Sequence, residues 1–361
     1  MYIVIMHQTV ARHDAIGNDI EAMFQLLQEK NDCFVYAENR FNTVVEYVDE
    51  KQLEEIIRRP DSIVIYHHSV YWQRGYKILK RVKGKVIFRY HNITPASFFE
   101  GYNDFHMKQC FEGREQTAQF IREFPNSFWI VDSQYNTEDL EGVKPERMGV
   151  CPPFHKIQKW MTSVPDEKIL HELIETATIN LLFVGRIAPN KGHLFLLDVL
   201  RAFRTNYKEK IKLRLIGKFD DGLTQYNNLL LNYIRQYRLE DAVEFVGEIS
   251  DETLLAYYLG SDLLVCGSEH EGFCVPIIEA QFTGLPVLAL KECAVPETAG
   301  EEQLLLEKRP GQFAAAIHVL SEKDEYRDYL VEKGFDNVNR RFLVEHISEE
   351  FLRTFEKGVQ E

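Results

Sequence analysis

Cysteine is scarce: Cys33, Cys110, Cys151, Cys266, Cys274 and Cys293 are the only six in 361 residues. They never form a Cys-x-x-Cys spacing, so they are poor candidates for zinc ligands or a disulfide framework and predict reduced thiols. Long apolar runs are missing as well. No stretch approaches the ~20 residues that a bilayer-spanning helix needs. Met1 is followed by Tyr2-Ile3-Val4-Ile5-Met6, which lacks the basic flank and extended apolar core of a secretory signal and reads as a first strand. Positive charge is in deficit, with 42 Lys and Arg against 56 Asp and Glu and a net charge of −14. That balance argues against a nucleic-acid footprint over the whole surface, because phosphate backbones need a broad cationic face. No His, Cys and Asp grouping has metal-ligand spacing. A cytoplasmic location is expected.

What is present is ample apolar material, 45% of residues, in a chain long enough for two cores. Short β-branched or aromatic runs alternate with helical patterns: Tyr2–Met6, Cys33–Tyr36, Ser62–Tyr66, Lys85–Tyr90 and Phe128–Val131. The rhythm restarts at Ile179–Val184 and continues through Ile211–Ile216, Val243–Val246, Asp262–Cys266 and Pro286–Leu290. Such alternation predicts parallel sheets with crossover helices, hence two doubly wound α/β domains. Cys151-Pro152-Pro153 and the polar stretch to about Thr176 read as a linker, since consecutive prolines stop regular structure. The expected domains are 1–160 and 161–335, with a closing helix at 336–361, carrying Phe342, Ile347, Phe351, Leu352 and Phe355, that could pack on either one.

In open α/β sheets ligands bind beyond the carboxyl ends of the strands, so the strand-to-helix loops hold the chemistry. Gly185-Arg186-Ile187-Ala188-Pro189-Asn190-Lys191-Gly192 combines glycines for close backbone approach, a helix start and two cations, a set that suits a diphosphate. A surface turn with solvated charges is the plain alternative. The second loop, Ser268-Glu269-His270-Glu271-Gly272-Phe273-Cys274-Val275-Pro276-Ile277-Ile278-Glu279, follows a buried strand. Pro276 fits the first helical position, which would place Glu279 in the first turn. Glu271 and Glu279 would then flank one helix mouth, suited to vicinal hydroxyls, although Glu279 could equally serve the helix macrodipole. Ile216-Gly217-Lys218 and Phe245-Val246-Gly247-Glu248-Ile249 are further glycine-punctuated strand ends, and Gly284 is a plausible C-cap.

Glu-x7-Glu within Glu-Gly-Phe-Cys-Val-Pro-Ile-Ile-Glu-Ala, preceded by Val-Gly-Arg-Ile and Asn-Lys-Gly, resembles family 4 of the retaining GT-B glycosyltransferases from about Leu181 to Gly300. The resemblance implies two Rossmann-like doubly wound domains facing each other across a cleft. It implies that Arg186 and Lys191 hold a donor diphosphate, that Glu279 binds the ribose and that Glu271 lies against the transferred sugar. Gly185 and the run Gly272, Phe273, Cys274 and Val275 would border the donor, a UDP- or GDP-sugar, with no metal or other cofactor. Cys274 departs from the glycine common at that place.

The first half supplies weaker signals. His13-Asp14-Ala15-Ile16-Gly17-Asn18 lies between the first strand and helix, and the resemblance implies that Gly17 approaches the donor. Asp14 or Asn18 could be a simple helix cap. His91, in Tyr90-His91-Asn92-Ile93-Thr94-Pro95, should emerge at a strand's carboxyl end, where the family's histidine faces donor sugar and acceptor; an imidazole there can bond a hydroxyl or exchange a proton. His67 and His68 read as structural, in an adjacent loop, and Asp220-Asp221 as solvated carboxylates. From Ser62 to Phe99 there is no acidic residue, while Arg74, Lys77, Lys80, Arg81, Lys83, Lys85 and Arg89 are present. That basic segment, 74–89, suggests contact with anionic lipid at the inner membrane face or with a lipid-linked acceptor; a solvated face explains it equally.

The sequence therefore points to a hexosyltransferase moving sugar from a nucleotide diphosphate to a glycan, lipid-linked or small-molecule acceptor, as in polysaccharide or glycoconjugate synthesis. Glu271, His91, Arg186 and Lys191 are the candidate catalytic residues. An epimerase or hydrolase of the same fold, or a non-catalytic nucleotide-sugar-binding subunit, would share these residues. A nicotinamide dehydrogenase fits poorly, because no Gly-x-Gly-x-x-Gly follows a strand.

Overall fold

A computed structural model describes residues 1–11, 15–41 and 44–360. In chain order the elements are β1 (Tyr2–Ala11), α1 (Ala15–Gln28), β2 (Asp32–Phe41), α2 (Glu50–Ile57), β3 (Ser62–His68), α3 (Gln73–Leu79), β4 (Lys85–Tyr90), α4 (Asp104–Glu123), β5 (Phe128–Val131) and β6 (Met148–Val150). Then follow α5 (Glu167–Ile174), β7 (Ile179–Val184), α6 (His193–Asn206), β8 (Ile211–Ile216), α7 (Thr224–Gln236), β9 (Val243–Gly247), α8 (Asp251–Gly260) and β10 (Leu263–Cys266). The chain closes with α9 (Val275–Thr283), β11 (Val287–Leu290), α10 (Val295–Ala299), β12 (Leu304–Leu306), α11 (Pro310–Glu322), α12 (Asp324–Arg341) and α13 (Val344–Gln360).

Two compact units result. The first comprises residues 1–96, 108–156 and 343–361, the second 97–107 and 157–342. Residues 97–107 belong with the second because the Asn103 amide donates to the Gly222 carbonyl and His106 Nε2 lies 3.1 Å from Asp220 Oδ2.

The first unit is a six-stranded parallel sheet in the order β2-β1-β3-β4-β5-β6. Both faces are covered, so Ile63-Val64-Ile65 is apolar on both sides: Ile63 and Ile65 face one cluster with α1 and α13, Val64 the other. β1 extends beyond the expected Met6 to Ala11, pairing His7 with Ala37 and Thr9 with Asn39; polar side chains there interrupt the apolar run but leave the backbone ladder intact. The expected single closing helix is two. The chain breaks at Phe342, whose ring meets Phe273 edge-on at 5.4 Å, and Ile347, Phe351 and Phe355 then bury the i, i+4, i+8 stripe of α13 against Ile3 and Phe128 of the first unit.

The second unit has the order β12-β11-β10-β7-β8-β9, again all parallel. Strand order reverses between β7 and β10, so the loops leaving these two strands form the switch point at which such sheets bind ligands. The stretch expected to be an unstructured linker contains α5, capped by the Asp166 carboxylate on the Lys168 and Ile169 amides. Among the described residues, no helix is long and apolar enough to cross a membrane.

Candidate active site

The two switch-point loops are stitched together by backbone. The Asn190 carbonyl accepts from the Glu269 amide at 2.8 Å. Gly192, with φ of +69°, passes so close to Gly267 that a Cβ would sit 1.8 Å from the Gly267 carbonyl oxygen. Gly217, after β8, approaches the first loop from its other side: its Cβ would sit 2.1 Å from the Gly185 carbonyl oxygen. The glycines are thus needed first to bring the loops together, which places residues 185–192 beside 267–274.

This joining puts Lys191 Nζ 2.6 Å from Glu271 Oε1, with the side chains 22% and 11% exposed. Burial works against the lysine charge, but Glu271 outweighs it and holds the ammonium above its usual range. One N–H is spent on Glu271; an ammonium has three. Directly after Glu271 the chain enters α9 through Cys274, which adopts the left-handed conformation (φ 77°) and leaves the helix start without a side-chain cap. The sequence reading of α9 is corrected here: Val275 opens the helix and Pro276 is second, so Glu279 stands just past the first turn. Its carboxylate accepts the Tyr258 hydroxyl at 2.6 Å. The Cys274 and Cys266 thiols lie 3.7 Å apart, Gly272 is half-buried and Phe273 buried, its carbonyl accepting the Thr298 hydroxyl at 2.6 Å.

Arg186 behaves differently from Lys191. It leaves Gly185 (φ +152°) with 57% of its side chain exposed, and its recorded ion pair is to Asp220 Oδ2 at 4.0 Å. Asp220 is not the solvated carboxylate expected: it caps the turn at Gly222 and also meets His106. His106 and Asp220 come together only through the fold, so their spacing in the chain carries no signal.

In the first unit the sheet face packed on α1 changes character at its carboxyl end. Ile5, Ile65, Ile87 and Ile130 line the core, and two residues further along each strand stand His7, His67, Arg89 and Asp132, all buried. Arg89 Nε donates to Asp19 Oδ2 at 2.9 Å, its Nη1 to the Cys151 carbonyl at 2.8 Å, and its Nη2 lies 2.9 Å from Asp132 Oδ1. Burial pulls the Asp132 carboxyl up, but Arg89 and His91 draw it below the usual range. His91, 8% exposed, emerges just after β4 as expected, with Nδ1 2.9 Å from Asp132 Oδ2 and Nε2 2.8 Å from His67 Nδ1. His67 and His68 end β3 and are buried rather than lying in a loop. Burial lowers His67 well below the normal histidine range, His68 to about 3 and His7 to about 4.

Sequence reasoning missed Asp19, Arg89 and Asp132; polar residues recurring at the ends of apolar strands were the available signal. The donor atoms of Asp19, His67 and His91 lie within 4.8 Å of one another. The 2.8 Å N–N separation is that of a hydrogen bond, shorter than the roughly 3.3 Å between two nitrogens on a tetrahedral metal.

Gly17 has a structural reason to be glycine. It sits inside α1, where a Cβ would fall 1.9 Å from the Ala11 carbonyl oxygen. Asn18 is within the helix rather than at its start, and Asp14 and His13 lie outside the described residues. The basic segment 74–89 does not make a continuous cationic face. Arg74 pairs with Glu38 and Glu50, Lys80 with Glu123, Arg81 with Glu54, Lys85 donates to the Val359 carbonyl, and Arg89 is buried. Acidic residues distant in the chain thus supply the balance that the segment lacks.

The Lys191–Glu271 pair thus stands at the switch point of a Rossmann-type sheet, beside the start of α9. Over 99% of both chains the fold matches Anabaena HepE, solved with UDP and glucose, at a TM-score of 0.75 and 16% identity; the fold is GT-B. Residues 166–336 match the family model described as glycosyl transferases group 1. Mannosylfructose-phosphate synthase of Agrobacterium fabrum is 34% identical over 150 residues, 41% of this chain and 33% of that protein. Lipopolysaccharide 1,2-N-acetylglucosaminetransferase of Salmonella typhimurium is 29% identical over 261 residues, 68% of this chain and 58% of that protein. The matched stretch spans about a third of the first relative's length and 58% of the second's.

Proposed function

We propose that the protein transfers a hexose, with retention and without a metal, from a nucleotide diphosphate sugar to a glycan, lipid-linked or small-molecule acceptor in glycoconjugate synthesis. The observation that carries this reading is the Lys191–Glu271 pair at 2.6 Å beside the uncapped start of α9. An ammonium beside the positive end of a helix suits a diphosphate, and a neighbouring carboxylate suits the hydroxyls of the sugar attached to it. In the resting protein Glu271 holds Lys191 in place; when the diphosphate arrives, Lys191 turns its other N–H groups to it. As the glycosidic bond breaks, charge builds on the leaving phosphate, so Lys191, with Arg186 swinging from Asp220, binds the transition state more strongly than the ground state. Glu279, fixed by Tyr258, takes the ribose, and the departing phosphate accepts the proton of the incoming hydroxyl.

UDP is favoured over GDP as the first nucleotide to test, since the HepE likeness is to a UDP-bound structure. A thermal-shift panel of UDP-, GDP- and ADP-sugars selects the donor, because a ligand at 100 times its Kd stabilises by about 2.7 kcal/mol. Radiolabelled donor with candidate acceptors then reads the reaction. Sugar release that ignores the acceptor, or epimerisation of the donor, would refute transfer.

A further inference from the structure

His91 cannot act alone. When ionised, Asp132 only accepts hydrogen bonds, and Arg89 beside it keeps it ionised, so the 2.9 Å contact fixes a proton on His91 Nδ1. The remaining nitrogen, Nε2, lies 2.8 Å from His67 Nδ1, with the two rings 5.0 Å apart and 26° from parallel. His67 is wholly buried at the end of β3, and its Nε2 has no hydrogen-bond partner among the described residues. β3 and β1 flank the point where strand order in the first unit reverses, and the His7 ring stands 6.3 Å away as a further neighbour. Asp19 Oδ2 is 3.8 Å from His91 Nε2 and 3.9 Å from His67 Nδ1.

We propose that His67 is a positioning residue that holds the ring orientation of His91, whose tautomer Asp132 fixes, by donating its Nδ1–H to His91 Nε2. Buried beside Arg89, a neutral His67 carries one proton. Placed on Nδ1, that proton makes a hydrogen bond and leaves only a bare acceptor in the core. Placed on Nε2, it would leave an orphaned buried N–H, which folded proteins rarely tolerate. His91 is then held from both ends, by Asp132 and by His67, and a substrate hydroxyl reaches its Nε2 by displacing His67. This inference rests on the reading of His91 as a residue of the transfer site, but its first test does not.

Long-range ¹⁵N–¹H spectra of histidine-labelled protein report the tautomers directly. The expected result is His67 protonated at Nδ1 and His91 at Nδ1. His67→Phe should shift the His91 Nε2 resonance, whereas His67→Asn, whose amide can occupy the Nδ1 position, should restore it. A His67 protonated at Nε2 in the wild type overturns the proposal, and this measurement also decides the matter should His67→Phe fail to fold. Where transfer is measurable, His67→Phe should lower kcat roughly 10- to 100-fold with KM nearly unchanged, the scale seen when a partner that orients a functional imidazole is removed, and His67→Asn should recover most of it. Wild-type kcat in His67→Phe overturns the positioning role. Should no nucleotide sugar be turned over by the wild type, the glycosyl-transfer reading fails, while the tautomer result still supports or overturns the His67–His91 arrangement.

Discussion

Replacing Lys191 with Met removes the ammonium while keeping most of the stem, and its consequences for stability and for activity separate cleanly. The pair it breaks is 22% and 11% exposed, between a surface pair, worth about 0–1 kcal/mol, and a fully buried one, whose breaking costs about 3–5 kcal/mol. We expect a loss of about 1–3 kcal/mol, most of it from leaving Glu271 half-buried without its cation. In urea unfolding the double variant Lys191→Met/Glu271→Gln should therefore be more stable than the sum of the single losses predicts, because neither partner is left orphaned. Activity should not recover. Loss of one charge-assisted contact to the donor costs about 1.5–3 kcal/mol in affinity, and loss of a group aimed at developing negative charge costs about 10²- to 10³-fold in kcat. Isothermal titration with the selected nucleotide and initial rates with labelled donor read the two effects. A folded Lys191→Met that binds the nucleotide and turns over like the wild type would refute the assignment of Lys191 to the diphosphate.

Gly192→Ala should destabilise the second unit by at least about 3 kcal/mol in urea unfolding, since the alanine meets both a left-handed φ and the Gly267 carbonyl; near-wild-type stability would contradict the loop contact. Gly17→Ala should likewise weaken the first unit through the clash with Ala11, and a variant of unchanged stability with poorer donor binding would instead favour a ligand-approach role for Gly17. At Cys274 the usual order reverses: because φ is +77°, Cys274→Gly should be more stable than Cys274→Ala by about 1 kcal/mol in a thermal melt. Stability should also fall on acidification. Burial holds His7 near 4, and His68 and His193 near 3 in the folded chain, so below about pH 6.5 the unfolded chain binds protons that the folded one does not. Each such histidine contributes stability that is complete above 6.5 and declines by up to about 1.4 kcal/mol per pH unit towards its folded value. Urea midpoints at pH 7 and pH 5.5 for the wild type and His68→Gln check this, with a shallower dependence expected in the variant.

Ten strands were legible in the sequence because central ones such as Leu263-Leu264-Val265-Cys266 are buried throughout and read as apolar runs, whereas the three-residue, half-buried edge strands β6 and β12 were not read as strands. The loop motifs at Gly185 to Gly192 and Glu271 to Glu279 stood out as glycines and charges at the ends of apolar strands, but the structural role of Gly192, close against Gly267, was not legible in them. Local sequence also signalled caps, as at Gly284, whose φ of +74° closes α9. It failed where local patterns compete. Cys274 opens α9 one residue earlier than Pro276 suggests, because a left-handed turn is a backbone choice that the side chain does not announce.

What only tertiary structure decided was which charges meet. Arg89 reads as part of a basic surface, yet strand pairing turns it inward between Asp19 and Asp132, 70 residues before and 43 after it in the chain. Arg74, Lys80 and Arg81 lose their cationic face to Glu50, Glu123 and Glu54 in the same way. The physical reason is one of range. Periodicity and backbone preference act over a few residues and are written locally, whereas a hydrogen bond or ion pair depends on separations of about 3 Å that sheet order alone creates, as when β7 and β10 become neighbours and carry Lys191 to Glu271.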